Sequence, residues 1–206
     1  METATIQLQE IIQTSLTKHI DYKAYRSLVH QLVEDKSNSG NEKSEALADY
    51  TMLNDKRMKR WDKTVKVNEA TQQFLANYKE KVTFLVITES WCGDAAHVIP
   101  VINKVAELNP NLDLKLVFRD ENEALTDNFL TNGGRAIPKL IALDQGNNVL
   151  FTFGPRPSTA TNLVNQYKAE NGAITPEFKQ DLQHWYNKDK GQTIINDLVT
   201  FLSNTK

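Results

Sequence analysis

The 206-residue sequence has a single cysteine, Cys92. No intrachain disulfide can form, and a zinc site built on several cysteines is excluded. Long apolar runs are absent, which excludes a transmembrane helix. Neither sign of charge dominates: 24 Lys and Arg stand against 26 Asp and Glu. So even a balance supplies no field to attract nucleic acid or an anionic membrane, and neither is expected as a partner. Residues 1–10 lack the basic start and apolar core of a signal peptide. Together with the lone cysteine this gives an expectation of the reducing cytoplasm. There is no Gly-x-Gly-x-x-Gly and no Walker-type run; Gly133-Gly134 reads as a loop that permits positive φ, not as a phosphate cradle. No cofactor is expected.

The sequence does have the makings of a folded α/β chain: 40% of it is apolar and 24% charged, as in soluble globular proteins. Residues 5–34 carry a helical apolar face (Tyr25, Leu28, Val29, Leu32, Val33), and 37–41 read as a loop. A second helix is predicted over 43–61, with Leu47, Tyr50, Leu53 or Asn54, Met58 and Trp61 inward. Its basic run of Lys56, Arg57, Lys59, Arg60 and Lys63 reads as a solvated face. A third helix spans 68–78, with Phe74, Leu75 and Tyr78 on its apolar side. Residues 81–88 form a short, nearly continuous apolar run, the mark of a strand buried on both faces. Helix 93–109, strand 112–118 and helix 122–130 follow. Strands 138–143 and 149–153 flank a hairpin turn at 144–148, and helices are predicted at 158–169, 176–188 and 192–204. The alternation of strands and helices argues for an α/β fold with parallel pairing, plus an antiparallel hairpin at one side.

The chemistry concentrates in Thr88-Glu89-Ser90-Trp91-Cys92-Gly93-Asp94-Ala95-Ala96. This segment joins the buried strand to a helix, so Cys92 stands where free backbone N–H groups favour an anion such as a thiolate. The position is also one where parallel sheets commonly place ligands. A free thiol has a pKa of about 8.5. The helix end favours the thiolate by roughly 0.3–1 kcal/mol. The Asp94 carboxylate, at about 6 Å, opposes it by roughly 0.7 kcal/mol in a water-like dielectric. The two effects nearly cancel. Asp94 is also what the first turn of any helix prefers.

Trp91-Cys92-Gly93, the helical Pro100, Ile137-Pro138 opening the next strand and Gly154 after the hairpin together resemble the thioredoxin family. The resemblance implies a thioredoxin-like mixed sheet flanked by helices and a cis Pro138 beside Cys92. It implies a groove shaped by Trp91, Gly93, Asp94, Ile137 and Pro138, in which the backbone N–H of Arg135 or Ile137 could hold an extended substrate. It covers residues 63–170 and perhaps the last helix. That suggests an N-terminal helical extension over 1–62 and a thioredoxin-like domain over 63–206, with additional helices near 170–190. The sequence departs from the family pattern in three places. Ala95 stands where the family has its second cysteine, Asp94 where it has a proline, and Val86 where it has a buried acid. Glu89 lies closer to the thiol, but a Glu at a strand end is commonly solvated.

Two functions are therefore carried forward. In the first, Cys92 is the nucleophile of single-thiol exchange or reversible thiolation, with protein or small-molecule thiols and disulfides as partners and an external thiol releasing the product. In the second, the fold is a non-catalytic binding or assembly module. Metal binding is not expected. Cys92 and His97 are five residues apart and point about 140° away from each other on a helix, so His97 reads as a polar helix residue. Asp120, Glu121 and Glu123 read as a solvated acidic patch.

Overall fold

Val82–Thr88 (β1) lies at the centre of the sheet, as its run of apolar residues requires. In the computed structural model, which describes residues 2–205, it pairs in parallel with Leu112–Phe118 (β2) and antiparallel with Lys139–Leu143 (β3). β3 forms a hairpin with Val149–Phe153 (β4), giving the order β2-β1-β3-β4. Phe84, Leu85, Val86 and Ile87 are fully buried. Helices cover the sheet: Ala95–Ala106 (α5 once the four that precede it are counted) packs against β2 and against the C-terminal helix Gln192–Ser203. The chain is a mixed α/β structure with a four-stranded sheet flanked by helices, as the alternation of elements implied.

The four helices before β1 are Glu2–Leu16 (α1), Tyr22–Glu34 (α2), Glu45–Thr64 (α3) and Glu69–Ala76 (α4). The single helix expected over 5–34 is thus two. Asp21 ends the first run by capping the second, its Oδ1 accepting from Ala24 N at 2.7 Å. Beside it, Ile20 exchanges two backbone hydrogen bonds with Leu116, both 2.9 Å. That bridge covers part of the β2 edge, which would otherwise expose unpaired backbone groups. The inward face of α3 also differs from expectation. Thr51, Asn54, Met58 and Trp61 are buried, whereas Tyr50 and Leu53 are exposed. The reason is chemical: Thr51 and Asn54 are drawn inward because each hydrogen-bonds Ser90 in the β1–α5 turn.

After β2 come a 3-10 turn at Arg119–Glu121 and helix Glu123–Asn128 (α6). After β4 come Ser158–Asn171 (α7), Pro176–Asp189 (α8) and Gln192–Ser203 (α9). Pro176 begins α8 at a position that has no helical acceptor to lose, and Thr175 caps it. In α9, Ile194, Ile195, Leu198 and Leu202 are buried, and Phe201 stacks on Phe151 of β4 with centroids 5.0 Å apart. One continuous core joins these residues to Ile12, Tyr25, Val29, Met58 and Trp61 from the N-terminal helices. Among the described residues no helix is long and apolar enough to cross a membrane.

Candidate functional site

The turn between β1 and α5 is pinned from behind by the loop before α3. Ser39 N donates to Ser90 Oγ at 2.9 Å, Ser90 N donates to Ser39 Oγ at 2.8 Å, and Ser39 Oγ donates to the Glu89 carboxylate. Glu89 also accepts from Asp120 N at 3.1 Å. Glu89 is therefore not a solvated strand-end residue but a fully buried strut, and burial raises its pKa. Asp120 accepts in turn from Asn41 N at 2.8 Å and from Arg119 Nε at 2.9 Å, so it leaves the solvated acidic patch expected for it. Trp91 is half-buried, with the Arg119 guanidinium 4.9 Å from its ring centroid.

Cys92 sits in this turn with 8% of its surface exposed. Its Sγ donates a hydrogen bond to the Ile137 carbonyl at 3.2 Å. The Ile137–Pro138 bond is cis, as the resemblance implied, and so is Gly154–Pro155, which nothing in the sequence announced. Gly154 lies flat against this wall. A Cβ on it would come within 2.3 Å of the Pro138 carbonyl oxygen, and its φ of +108° suits glycine alone.

The thiol is pushed up to about 12. Burial is the main cause and the Asp94 charge the second; the backbone N–H groups of Ala95 and Asp94 pull the other way. The helix end and the Asp94 charge nearly cancel, as their sizes imply, and burial of the sulfur then decides the direction.

Asp94 does not cap α5 with its side chain. Instead its carboxylate pairs with Arg156 at 2.7 Å and accepts from Tyr186 Oη at 3.0 Å. Burial raises its pKa, against the lowering effects of Arg156 and Tyr186. Tyr186 stacks on His97, rings 4.3 Å apart and parallel. His97 is 1% exposed, so it is a core residue and not a polar surface residue of the helix. Its Nδ1 accepts from Trp61 Nε1 at 2.9 Å, which leaves Nε2 to donate to Gln183 Oε1 at 2.6 Å. Burial pushes His97 down to about 4. Helix α8 thus fastens itself over the cysteine turn through Gln183 and Tyr186. Among the described residues no group of three His, Cys, Asp or Glu side chains converges as a metal site.

Between α3, α8 and the turn lies a cleft of about 600 Å³. Cys92 and Asp94 line it together with Trp91, Gly93 and Arg156; Ile137 and Pro138, expected to shape the groove, are buried outside its lining, and Ile137 reaches the sulfur through its carbonyl. α3 contributes Leu47, Tyr50 and Arg57, and α8 contributes Lys179, Leu182 and Gln183. Arg57, expected on a solvated basic face, is half-buried, and burial lowers its pKa.

A family profile described as thioredoxin matches residues 40–168. The chain belongs to the thioredoxin family. The match begins at Gly40, upstream of the 63–170 stretch read from sequence motifs, and so takes in α3, whose Thr51 and Asn54 hold Ser90. Two solved structures share this thioredoxin fold. One is a protein of unknown function from Pseudomonas aeruginosa, with 19% identity and a TM-score of 0.61 over 77% of this chain and 92% of that one. The other is an HIV epitope-scaffold protein, with 18% identity and a TM-score of 0.57 over 76% of this chain and 91% of that one. Both likenesses concern the fold alone.

Sequence reasoning missed Arg156, Tyr186, Gln183 and Arg57 as members of this site. Arg156 lies between two prolines in what read as a pattern break, and the two α8 residues lie some ninety positions beyond the cysteine. The sequence marked residues 176–188 as a helix and carried no signal that Gln183 and Tyr186 face the cysteine turn.

Proposed function

We propose that this thioredoxin-fold protein is a binding module in which Cys92 is held as a neutral thiol at the floor of a ligand cleft. The observation that supports this reading is the state of the sulfur: it is 8% exposed, donates to the Ile137 carbonyl and is pushed up to about 12. At neutral pH such a group is held overwhelmingly as the thiol. Asp94 adds a negative neighbour where a redox site benefits from a positive one, and Ala95 leaves no internal thiol to release a mixed disulfide. The cleft has the size of a small-molecule site.

The test is the pH profile of Cys92 alkylation by iodoacetamide, read by mass spectrometry. The expected result is a rate still rising with pH above 10. A plateau with an apparent pKa at or below about 8.5 would overturn the reading.

One observation favours the second reading, single-thiol exchange: Cys92 lines the cleft together with Trp91 and Gly93. In that chemistry the Cys92 thiolate attacks one sulfur of a disulfide, forming a mixed disulfide and releasing the other sulfur as a thiolate. An external thiolate then attacks the mixed disulfide and restores Cys92. Incubation of the reduced protein with a small disulfide such as cystamine at pH 7.5 separates the two. A Cys92 adduct formed within minutes supports exchange; none after hours supports binding.

A further inference from the structure

The cleft beside Cys92 carries three cations, Arg57, Arg156 and Lys179, against the one carboxylate of Asp94. We infer that it binds a small organic carboxylate, with the anionic end against Arg57 and the apolar body between Tyr50, Trp91 and Leu182. The inference rests on the binding reading above and gives it a ligand class.

Arg57 is the centre of the argument. Its guanidinium is drawn in over the turn, with Nη1 3.6 Å from where a Cβ on Gly93 would lie. Its one hydrogen bond among the described residues is to the neutral Asn54 Oδ1, at 3.0 Å, and it makes no ion pair. Asp94, whose charge acts on Arg57, is already engaged by Arg156 and Tyr186. A partly desolvated guanidinium without an anion is costly, and an incoming carboxylate would offset that cost through paired hydrogen bonds.

A second guanidinium, that of Arg156, lines the same cleft and is paired with Asp94 at 2.7 Å. Lys179 adds an exposed cation at the rim without an ion-pair partner among the described residues. The remaining surface favours an organic body over a bare inorganic anion. Leu182 is a buried residue of α8, Trp91 is half-buried, and Tyr50, 50% exposed, adds an aromatic ring to the lining.

The test is a ¹H–¹⁵N NMR titration of the full chain with phenylacetate into the millimolar range. Phenylacetamide, of the same shape but uncharged, and inorganic phosphate are titrated in parallel. The expected result is saturable shifts at the Trp91 indole and the Gly93 and Asp94 amides. Phenylacetate should bind at least about tenfold more tightly than phenylacetamide, and Arg57→Gln should remove that preference. If Arg57→Gln fails to fold, Lys179→Gln, on an exposed side chain, is the deciding variant and is expected to weaken phenylacetate about two- to threefold. Equal binding of phenylacetate and phenylacetamide, or an unchanged preference in whichever variant decides, overturns the carboxylate inference and leaves the binding reading standing. Phosphate binding as tightly as phenylacetate overturns the organic body. Saturation by none of the three overturns the inference and the binding reading together.

Discussion

Asp94 stands next to the one thiol of the chain, and its side chain has been diverted from helix capping to an ion pair with Arg156. Its charge reaches Cys92 and raises it. Asp94→Asn removes that repulsion and leaves Arg156 free to act on the sulfur. The Cys92 pKa should fall by about one unit, a roughly tenfold gain in thiolate at neutral pH. The measurement is the iodoacetamide rate of the variant against wild type at pH 7.5; an equal or slower rate contradicts the assignment. At this scale the sequence was informative where chemistry is local. The turn, its cysteine and the proline opposite are written in short motifs. It was silent where a partner comes from far along the chain, as Arg156 and Tyr186 do, and where burial outweighs the neighbouring charges, as at Cys92.

Helix α8 is fastened through two aromatic-polar contacts, Tyr186 on His97 and Asp94, and Gln183 on His97. Tyr186→Phe keeps the stacking and loses the bond to Asp94, at a cost of about 1 kcal/mol. Cys92 alkylation should accelerate while the urea midpoint shifts only modestly. His97 gives this junction a pH dependence. It is buried neutral at about 4, below its ordinary 6.5. Its contribution to stability is therefore complete above pH 6.5 and is lost as pH falls towards 4, by roughly 3 kcal/mol in all. Glu89 and Asp94, whose pKa values are raised, act in the opposite direction over the acid range. The comparison that isolates His97 is urea unfolding of wild type and His97→Gln at pH 7.5, 5.5 and 4. The variant should lose less stability on acidification, and parallel curves would exclude this role. Element types along the chain were legible from periodicity, strand β1 most of all. The break at residues 17–21 and the inward face of α3 were not. Both depend on polar contacts, Ile20 with Leu116 and Asn54 with Ser90, that apolar spacing does not encode.

Across the whole molecule, residues before position 63 supply part of the central core: Tyr25, Val29, Met58 and Trp61 are each no more than 3% exposed. A chain starting at residue 63 would leave the α5 face and the His97 ring uncovered. It is expected to lack fixed tertiary structure, seen as lost near-ultraviolet circular dichroism with retained far-ultraviolet signal. A cooperative thermal transition in such a chain would contradict this. Sequence motifs alone began the thioredoxin resemblance at residue 63, because the buried hydroxyls and amides that tie α3 to the cysteine turn carry no recognisable signature.

Because the chain has one sulfhydryl, a thiol-directed label has a single destination, the lining of the cleft between α3 and α8. A spin or fluorescent tag placed there reports on what enters that cleft, with no background from any other position.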